Sequence, residues 1–343
     1  MNQLKVVAEQ APDLAKSIIA EIKAGKREQG LDWSDEVKSG KVTIKEMIGT
    51  DDGSREFIEK VTYDLYQGRE AVPLLYKDLY STLSDANFPQ TMTAKEFGPV
   101  QVVFLQKYEG GEVKFGALGP GVEKVVSFVT YAAGLEYDED ILEYNQTWRL
   151  SEIGVAFGEA YNKLLNHIHL YPIISGSYTT TSGGLAAQKT AQKEGTAQLI
   201  AWDTDLPTTL RNALQVLPTG SFLLINSADR YKLEDAIASS MYADTTPSLV
   251  KRALSPDRFI EYDGDEVEVG GKTYEYTGVT PGYAYLISPK RYFKEYIKHD
   301  LRIDSDDGDL SRLILSQVVG RARRAVYASL GNKYGAIKID IAA

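Results

Sequence analysis

The chain has 343 residues, of which 43% are hydrophobic and 25% charged, a composition that supports a full hydrophobic core and allows one large domain or two to three smaller ones. The formal net charge of −10 argues against a sequence-specific DNA-binding protein, whose affinity would depend on a basic surface. The absence of cysteine excludes disulfides, thiolate metal sites and cysteine nucleophiles, and no segment approaches the roughly 18 consecutive apolar residues of a membrane span.

The N-terminal segment, residues 1–97, is predicted to consist of short helices and connectors. It lacks the uninterrupted apolar core of a signal peptide, so we expect a soluble protein made in the cytoplasm. Phe57, Val61 and Leu65 form an apolar stripe at helical spacing, with Ser54 as the candidate N-cap. Such a segment fits helices packed on the core as well as an arm that crosses onto a neighbouring subunit.

A long hairpin is predicted over residues 98–131. Val100, Val102 and Phe104 share one strand face while Gln101 and Lys107 fall on the other, and the run 122–131 is rich in β-branched and aromatic residues, as strands are. Between them lies a stretch punctuated by glycine. Because an isolated two-stranded ribbon is only marginally stable in water, this hairpin needs a further surface on which to lie.

The clearest predicted helix runs from about Thr147 to Leu170, where apolar residues recur at intervals of three and four. Pro172 is expected to prevent its continuation. The stretch that follows, residues 175–195, has low hydrophobicity and is predicted to be a loop.

The second half of the chain is predicted to mix helices and strands. Residues 206–281 contain a helix, the short buried strand "SFLLIN", another helix and strands joined by acidic and glycine turns. A second long helix is predicted from Leu310 to Leu330, because its apolar residues also fit a spacing of three and four. In residues 335–341, "GAIKIDI", isoleucines alternate with charged residues, which predicts a half-buried terminal strand.

No catalytic constellation emerges, so we expect no enzyme activity, no cofactor and no metal. "GGLAAQKT" at 183–190 lacks the glycine that a phosphate-binding loop has before its lysine, and "DSDDGD" at 304–309 does not fit the register of a calcium loop. His167 and His169 are two residues apart on a helix and point in different directions, so we expect polar side chains on the helix surface. In "GRARR" we favour ion pairs with carboxylates over DNA contacts for Arg321, Arg323 and Arg324.

From Val100 to the end, the order of elements resembles the major capsid proteins of tailed bacteriophages, whose shell fold is shared with encapsulins. The resemblance is carried by "EGGEVKFG", "YNKLLNHIHLYPII", "SFLLINSADRYKLEDAI" and "DLSRLILSQVVGRARRAVYASLGNKYGAIKIDI". It implies an α+β fold with an N-terminal arm (1–97), an extended β-hairpin loop (98–131), a peripheral domain with a long spine helix (132–205), an axial domain (206–281) and a return to the peripheral domain through the long helix and terminal strand (282–343).

The function implied by the resemblance is structural: pentamers and hexamers of the chain form the icosahedral phage head, part of the virion, after assembly in the host cytoplasm. Its partners would be other copies of itself, scaffold and portal proteins, and packaged double-stranded DNA contacted weakly and without sequence specificity. Because the sequence starts with Met1, we expect a separate scaffold protein or none. The resemblance places assembly contacts at the loop tip, at Gly110, Gly111, Glu112, Lys114, Gly116, Gly119 and Gly121, and makes Arg321, Arg323 and Arg324 candidates for ion pairs between subunits.

Three alternatives remain open at the level of sequence. An encapsulin-type nanocompartment shares the fold and would hold cargo enzymes instead of DNA. A tail or baseplate protein would form rings or tubes. A carboxylate enzyme using "LEYDED" at 135–140 would be a monomer with a pocket, and would lose activity on changes at Glu136 or Asp138.

Overall fold

The computed structural model describes most of the chain, namely residues 32–48, 50–96, 122–138, 142–239, 253–269, 271–307 and 314–342 together with a few isolated positions. Its helices are α1 Asp35–Lys38, α2 Ile44–Ile48, α3 Asp51–Ala71, α4 Thr147–Ile174, α5 Gly184–Lys193, α6 Leu206–Val216 and α7 Arg230–Ser239. Its strands are β1 Ser81–Ser84, β2 Thr91–Glu96, β3 Val122–Ser127, β4 Val129–Asp138, β5 Leu199–Ile200, β6 Phe222–Ile225, β7 Phe259–Glu261, β8 Gly264–Val269, β9 Lys272–Thr277, β10 Tyr283–Ile287, β11 Phe293–Asp307, β12 Ile314–Ala328 and β13 Ala336–Asp340. The mixture confirms the predicted α+β class.

The strands form two sheets and two ribbons. The five-stranded sheet has the order β5-β13-β10-β6-β7, and the four-stranded sheet has the order β1-β11-β12-β4. In the four-stranded sheet β1 is parallel to β11 and the other pairs are antiparallel. The two ribbons are the antiparallel pairs β2–β3 and β8–β9. Within the described chain, no helix has a stretch that is both long and apolar enough to cross a membrane.

The first core lies between the helix pair α3–α4 and the four-stranded sheet, and the side chains at its centre are fully buried. The two helices approach closely because glycines face backbone: a Cβ at Gly158 would overlap the carbonyl oxygen of Leu65. The predicted stripe of α3 is confirmed, with Phe57, Val61 and Leu65 all buried. The N-cap is Thr50, whose Oγ1 accepts the N–H of Gly53, and the assignment to Ser54 was wrong.

The helix predicted from Thr147 is confirmed as α4 and is longer than expected. It ends at Ile174 and contains Pro172, because a proline close to the C-terminal end removes only one hydrogen bond from the last turn. Beyond it, the prediction of a loop over residues 175–195 is wrong in part, since α5 forms at Gly184–Lys193 from good helix formers such as alanine, glutamine and lysine.

A second core fills one side of the five-stranded sheet. Helices α6 and α7 cover this sheet with leucine and isoleucine side chains, which confirms the predicted helix–strand–helix unit. The terminal strand is also confirmed as β13, with Ile337 and Ile339 buried and Lys338 and Asp340 half-buried. It pairs with β10 on one side and with β5 on the other.

The prediction of a long helix from Leu310 to Leu330 is wrong, because residues 314–328 form strand β12. Strand β12 is central in its sheet and pairs with β11 and β4 along nearly its whole length. The valines and alanines of this segment fit a period of two as well as a period of 3.6, and the long partner strands on both sides favour the extended form. Burial alternates accordingly: Ala322 is 1% exposed and its neighbours Arg321 and Arg323 are more accessible.

Candidate assembly surfaces

The base of the β2–β3 ribbon rests on the subunit's own sheet. The pairing runs from Thr91 opposite Ser127 to Glu96 opposite Val122. Residues 81–84 and 91–96 are therefore strands, although the sequence predicted only helices and connectors there. One face of the ribbon, carrying Val126 and Phe128, packs on the outer side of the four-stranded sheet. Its partners on the sheet are Tyr296, Ala325 and Tyr327, and Met92 of β2 and Phe88 pack against the same cluster.

The opposite face of the ribbon is open to solvent. Val125 is 72% exposed, so apolar surface of the ribbon faces outward next to the packed base. The ribbon is therefore two-sided, with an inner face for its own sheet and an outer face without a partner among the described residues. The predicted strand residues 100–104 and the seven tip residues, from Gly110 to Gly121, lie outside the described part of the chain.

A buried charge network joins α4 to the four-stranded sheet. The guanidinium of Arg324, whose side chain is 2% exposed, pairs with Glu295, lies 2.9 Å from Oδ1 of Asp300 and donates to the hydroxyl of Tyr161 at 2.5 Å. On the other side of Glu295, His169 Nε2 lies 3.2 Å from Oε1. These contacts connect the helix to β11 and β12, and at their centre the Arg324 and Glu295 side chains are each 2% exposed.

Burial and pairing have opposite effects on this network. Burial raises the pKa of the Glu295 carboxyl, but its hydrogen bonds and the ion pair with Arg324 outweigh burial and hold that pKa below its usual value. Burial lowers the pKa of His169 below its ordinary 6.5, although Glu295 acts in the other direction. His169 Nδ1 lies 2.7 Å from the carbonyl oxygen of Leu165, and its ring stacks on Tyr76 at a centroid distance of 3.5 Å. Both ring nitrogens of His169 thus face oxygen acceptors, and the ring is held in the core.

Two sequence-based expectations are corrected by this geometry. Arg324 has its carboxylate partners inside its own chain, so it was wrong to make it a candidate for pairing between subunits. His169 is fully buried and does not lie on the helix surface. Arg321 and Arg323 point to the other side of β12, and for these two the pairing between subunits stays a prediction.

The second ribbon, β8–β9, is attached at its base to the middle of α4. Lys163 Nζ lies 2.6 Å from Oδ2 of Asp265, and the ring of His167 stacks on Tyr276 at 4.8 Å. His167 Nδ1 is also 3.4 Å from the hydroxyl of Tyr262. Burial lowers the pKa of His167 below its ordinary 6.5. The strands themselves extend into solvent, with Tyr274 52% exposed.

The features that an enzyme would need are weakly developed. An open cleft of about 470 Å³ lies at the C-terminal end of α3, where its lining includes Arg69, Lys77 and Asn162. In the part of the chain that the structure describes, no three His, Asp or Glu side chains are grouped so that they could hold a metal ion. Of the "LEYDED" segment, Leu135–Asp138 form the end of β4 and pair with β12.

Sequence reasoning missed the buried network and the role of β12. The signal available for both was the charged run "GRARR" inside an apolar segment, because an arginine flanked by valine, alanine and tyrosine needs either an exposed face or a buried partner. Consecutive residues point to opposite sides only in a strand, so only a strand gives this run both exposed and buried arginines.

No protein-family model matches this sequence, and no curated protein sequence matches it. Several solved structures are similar to this chain. A virus-like particle from Pyrococcus furiosus has 13% sequence identity and a TM-score of 0.49, with 83% of this chain and 100% of that chain covered. The mature capsid of bacteriophage PhiM1 has 12% identity and a TM-score of 0.47, with 78% and 87% covered. The capsid of the cyanophage P-SCSP1u has 12% identity and a TM-score of 0.44, with 79% and 88% covered.

Proposed function

We propose that this chain is the major structural subunit of a closed protein shell, and specifically of a tailed-phage head. The observation that carries the proposal is the two-sided β2–β3 ribbon. Its inner face is anchored on the subunit's own sheet, its outer face exposes Val125, and its strands are connected by the glycine-rich residues 97–121. A ribbon of this kind is stable only when a further surface covers it, and another copy of the chain can provide that surface.

Contacts of this type are head-to-tail, because the ribbon of one subunit lies on a different surface of the next. Repeated around an axis they close into rings, and pentameric and hexameric rings together tile an icosahedral shell. In this proposal residues 98–131 are the extended loop, residues 132–205 and 282–343 the peripheral domain, residues 206–281 the axial domain, and residues 1–97 an arm. Glycines at the loop tip let the ribbon bend differently in the two kinds of ring.

The charge of the chain supports an enclosed DNA that is held loosely. A net charge of −10 keeps phosphate attraction weak, so packaged double-stranded DNA can be packed and released. In this proposal the chain acts with scaffold and portal proteins during assembly in the host cytoplasm and ends as part of the virion. Its function requires no catalytic step.

The decisive experiment removes the loop tip. The variant lacking residues 110–121 is expressed beside the full chain, and both are studied by circular dichroism, analytical ultracentrifugation and negative-stain electron microscopy. The full chain is expected to form closed particles of uniform size, alone or with a co-expressed scaffold, whereas the deletion variant stays folded but forms none.

A full chain that stays monomeric at high concentration with every candidate scaffold would contradict the proposal, and a deletion variant that assembles normally would contradict the role of the loop. Particles that carry an enzyme cargo and no nuclease-protected DNA would favour an encapsulin-type compartment instead.

A further inference from the structure

Two loops lie side by side where the five-stranded sheet joins the four-stranded sheet. Residues 288–292 connect β10 to β11, and residues 329–335 connect β12 to β13. Backbone hydrogen bonds join the loops: the N–H of Ser288 donates to the carbonyl oxygen of Gly335, and the N–H of Ser329 donates to that of Tyr292, each at 3.1 Å. The two loops therefore form one continuous surface.

Three exposed cations lie on this surface. Lys290 and Arg291 belong to the first loop and Lys333 to the second. Cζ of Arg291 lies over the ring of Tyr334, 4.1 Å from its centroid, and Nζ of Lys333 lies 5.3 Å from the same centroid. We call Lys290, Arg291, Lys333 and Tyr334 the junction patch.

The cations of the junction patch have no carboxylate partner in the subunit. Both loops and the strands that flank them belong to the described part of the chain, and within it the side chains of Lys290, Arg291 and Lys333 make neither an ion pair nor a hydrogen bond. Their charges are therefore available to an external anion.

The surroundings of the patch are also basic. The N–H of Lys290 donates to the carbonyl oxygen of Leu79 at 2.7 Å, and Nε2 of Gln192, in α5, donates to that of Asn332 at 3.0 Å. These bonds bring segments 77–80 and 189–194 next to the two loops. Segments 77–80, 189–194, 289–292 and 330–335 together contain six lysines or arginines and two carboxylates, although the chain as a whole has a net charge of −10.

Tyr334 positions the cations and is not a free platform for a nucleobase. Its ring already stacks on Tyr292 at a centroid distance of 6.0 Å, and the guanidinium of Arg291 lies over it. A guanidinium held against an aromatic ring keeps the N–H groups of its edge available to an acceptor. The arrangement suits an anion with paired oxygens, such as a phosphate.

We propose that the junction patch binds the phosphodiester backbone of double-stranded DNA. This inference rests on the proposed function, since it names the residues through which the subunit contacts the DNA that the shell encloses. Arg291 donates two N–H groups to one phosphate, and Lys290 and Lys333 neutralise neighbouring phosphates. Because backbone contacts carry no sequence information, the binding has no sequence preference.

A polyanion fits the patch better than a protein surface does. The centre of a protein interface is apolar and depleted in lysine. Four described segments form the patch and its surroundings, and none of them carries an exposed large hydrophobic side chain. Phosphates need only exposed cations, which is what these segments offer.

The small number of cations agrees with DNA that is held loosely. A single subunit that contacts a few phosphates binds weakly, and the contacts add up only when many copies in a shell face the same DNA. The acidic remainder of the chain opposes closer attachment, so the DNA can still be packed and released.

The test measures DNA binding by the full chain as a function of salt concentration. Variant R291Q/K333Q removes two charges from the patch. Variant K290G removes the third without backbone strain, because φ of Lys290 is 69° and glycine adopts such a value freely. The control K41Q/K272Q removes two charges from exposed positions outside the patch. The probe is a short fluorescent DNA duplex in two unrelated sequences, binding is followed by anisotropy, and folding of each variant by circular dichroism.

The slope of the logarithm of the binding constant against the logarithm of the salt concentration counts phosphate contacts. R291Q/K333Q is expected to reduce this slope by about 2 and to weaken binding at low salt by about 10-fold, and K290G to reduce the slope by about 1. The control is expected to keep the slope of the parent chain, and the two duplexes to bind alike. Particles of R291Q/K333Q are expected to form normally and to retain less nuclease-protected DNA.

Three results would overturn the proposal. A parent chain that does not bind the duplex at low salt, or an R291Q/K333Q variant with the slope of the parent, shows that the patch is not a DNA site, while the shell function stands. A folded R291Q/K333Q variant that no longer forms particles shows that the patch is a contact between subunits. A parent chain that never forms particles would contradict the shell function, and the change in slope, which is measured on the unassembled chain, would still decide on the patch by itself.

Discussion

Replacing Arg324 with methionine tests whether the buried charge network stabilises the subunit. Methionine retains most of the side-chain length, but it removes the guanidinium that pairs with Glu295 and Asp300 and lies over the ring of Tyr161. The Glu295 side chain is 2% exposed, so its carboxylate cannot be rehydrated after the change. Asp300 is 44% exposed and can turn toward water.

The expected loss follows from these exposures. Removing one partner of a buried ion pair costs roughly 3–5 kcal/mol, because the other charge is left uncompensated. Since Asp300 is partly hydrated and methionine preserves packing, we expect a value near the lower end, about 3 kcal/mol. Such a loss is a large part of the roughly 5–15 kcal/mol that stabilise a typical protein. Adding E295Q to R324M removes the stranded charge and is expected to restore about half of the loss.

The assay is equilibrium unfolding of the unassembled subunit in urea at pH 7, followed by the fluorescence of its three tryptophans and by circular dichroism. The change R302M, at an exposed position of β11, is the control and is expected to shift the unfolding free energy by less than about 0.5 kcal/mol. A loss below about 1 kcal/mol for R324M, or no recovery in R324M/E295Q, would refute the reasoning.

Three further results are expected. The unfolding free energy should fall as the pH is lowered from 7 to 5, because burial holds the pKa of His169 below 6.5 in the folded subunit and the unfolded chain takes up the proton first. In H169Q this fall should be smaller by up to about 1 kcal/mol. If H169Q has the same pH profile as the parent chain, the reasoning is contradicted. G158A should destabilise the subunit by about 2–3 kcal/mol in thermal unfolding, since its new Cβ would force α3 and α4 apart; full stability would show that the helices can separate freely. V125D should change the unfolding free energy by less than about 0.5 kcal/mol and yet prevent particle formation. V126D, at a position 6% exposed, should destabilise the subunit itself. Normal particles from V125D would exclude the outer ribbon face from assembly.

Long elements with one clear periodicity could be predicted from the sequence. The apolar stripe of α4 fits only a helix, and the alternation of Ile337 and Ile339 with charged residues fits only a strand. In both cases a single pattern extends over the whole element. The helix–strand–helix unit of α6, β6 and α7 was predictable for the same reason.

Strand β12 could not be predicted, because its sequence satisfies two periods at once. Alanine and valine at 318, 322, 325 and 326 lie on one side of a helix, and positions 318, 320, 322 and 324 lie on one side of a strand. The choice is made by β11 and β4, which supply hydrogen-bond partners on both sides and lie far away in sequence. Local propensity contains no information about such partners.

The candidate site was predictable only in outline. That the ribbon needs an external surface follows from its sequence, since a glycine-rich hairpin can bury little apolar surface by itself. The division of the arginines could not be derived in the same way. It depends on which side of β12 each residue occupies, and a helix assignment places Arg321 and Arg324 on the same side where a strand places them on opposite sides.

Strand β12 separates the stability of the subunit from its assembly. Ala322 and Arg324 point to α4, where they complete the core and the charge network, while Arg321 and Arg323 point to the opposite side of the sheet, where their pairing with a neighbouring copy stays a prediction. A change at a residue of the first pair should alter the unfolding free energy of the single subunit. A change at a residue of the second pair should leave that free energy nearly intact and alter the concentration at which particles form. Because consecutive residues of one strand fall into the two classes, backbone position cannot explain such a difference, and only the side of the sheet remains as its cause.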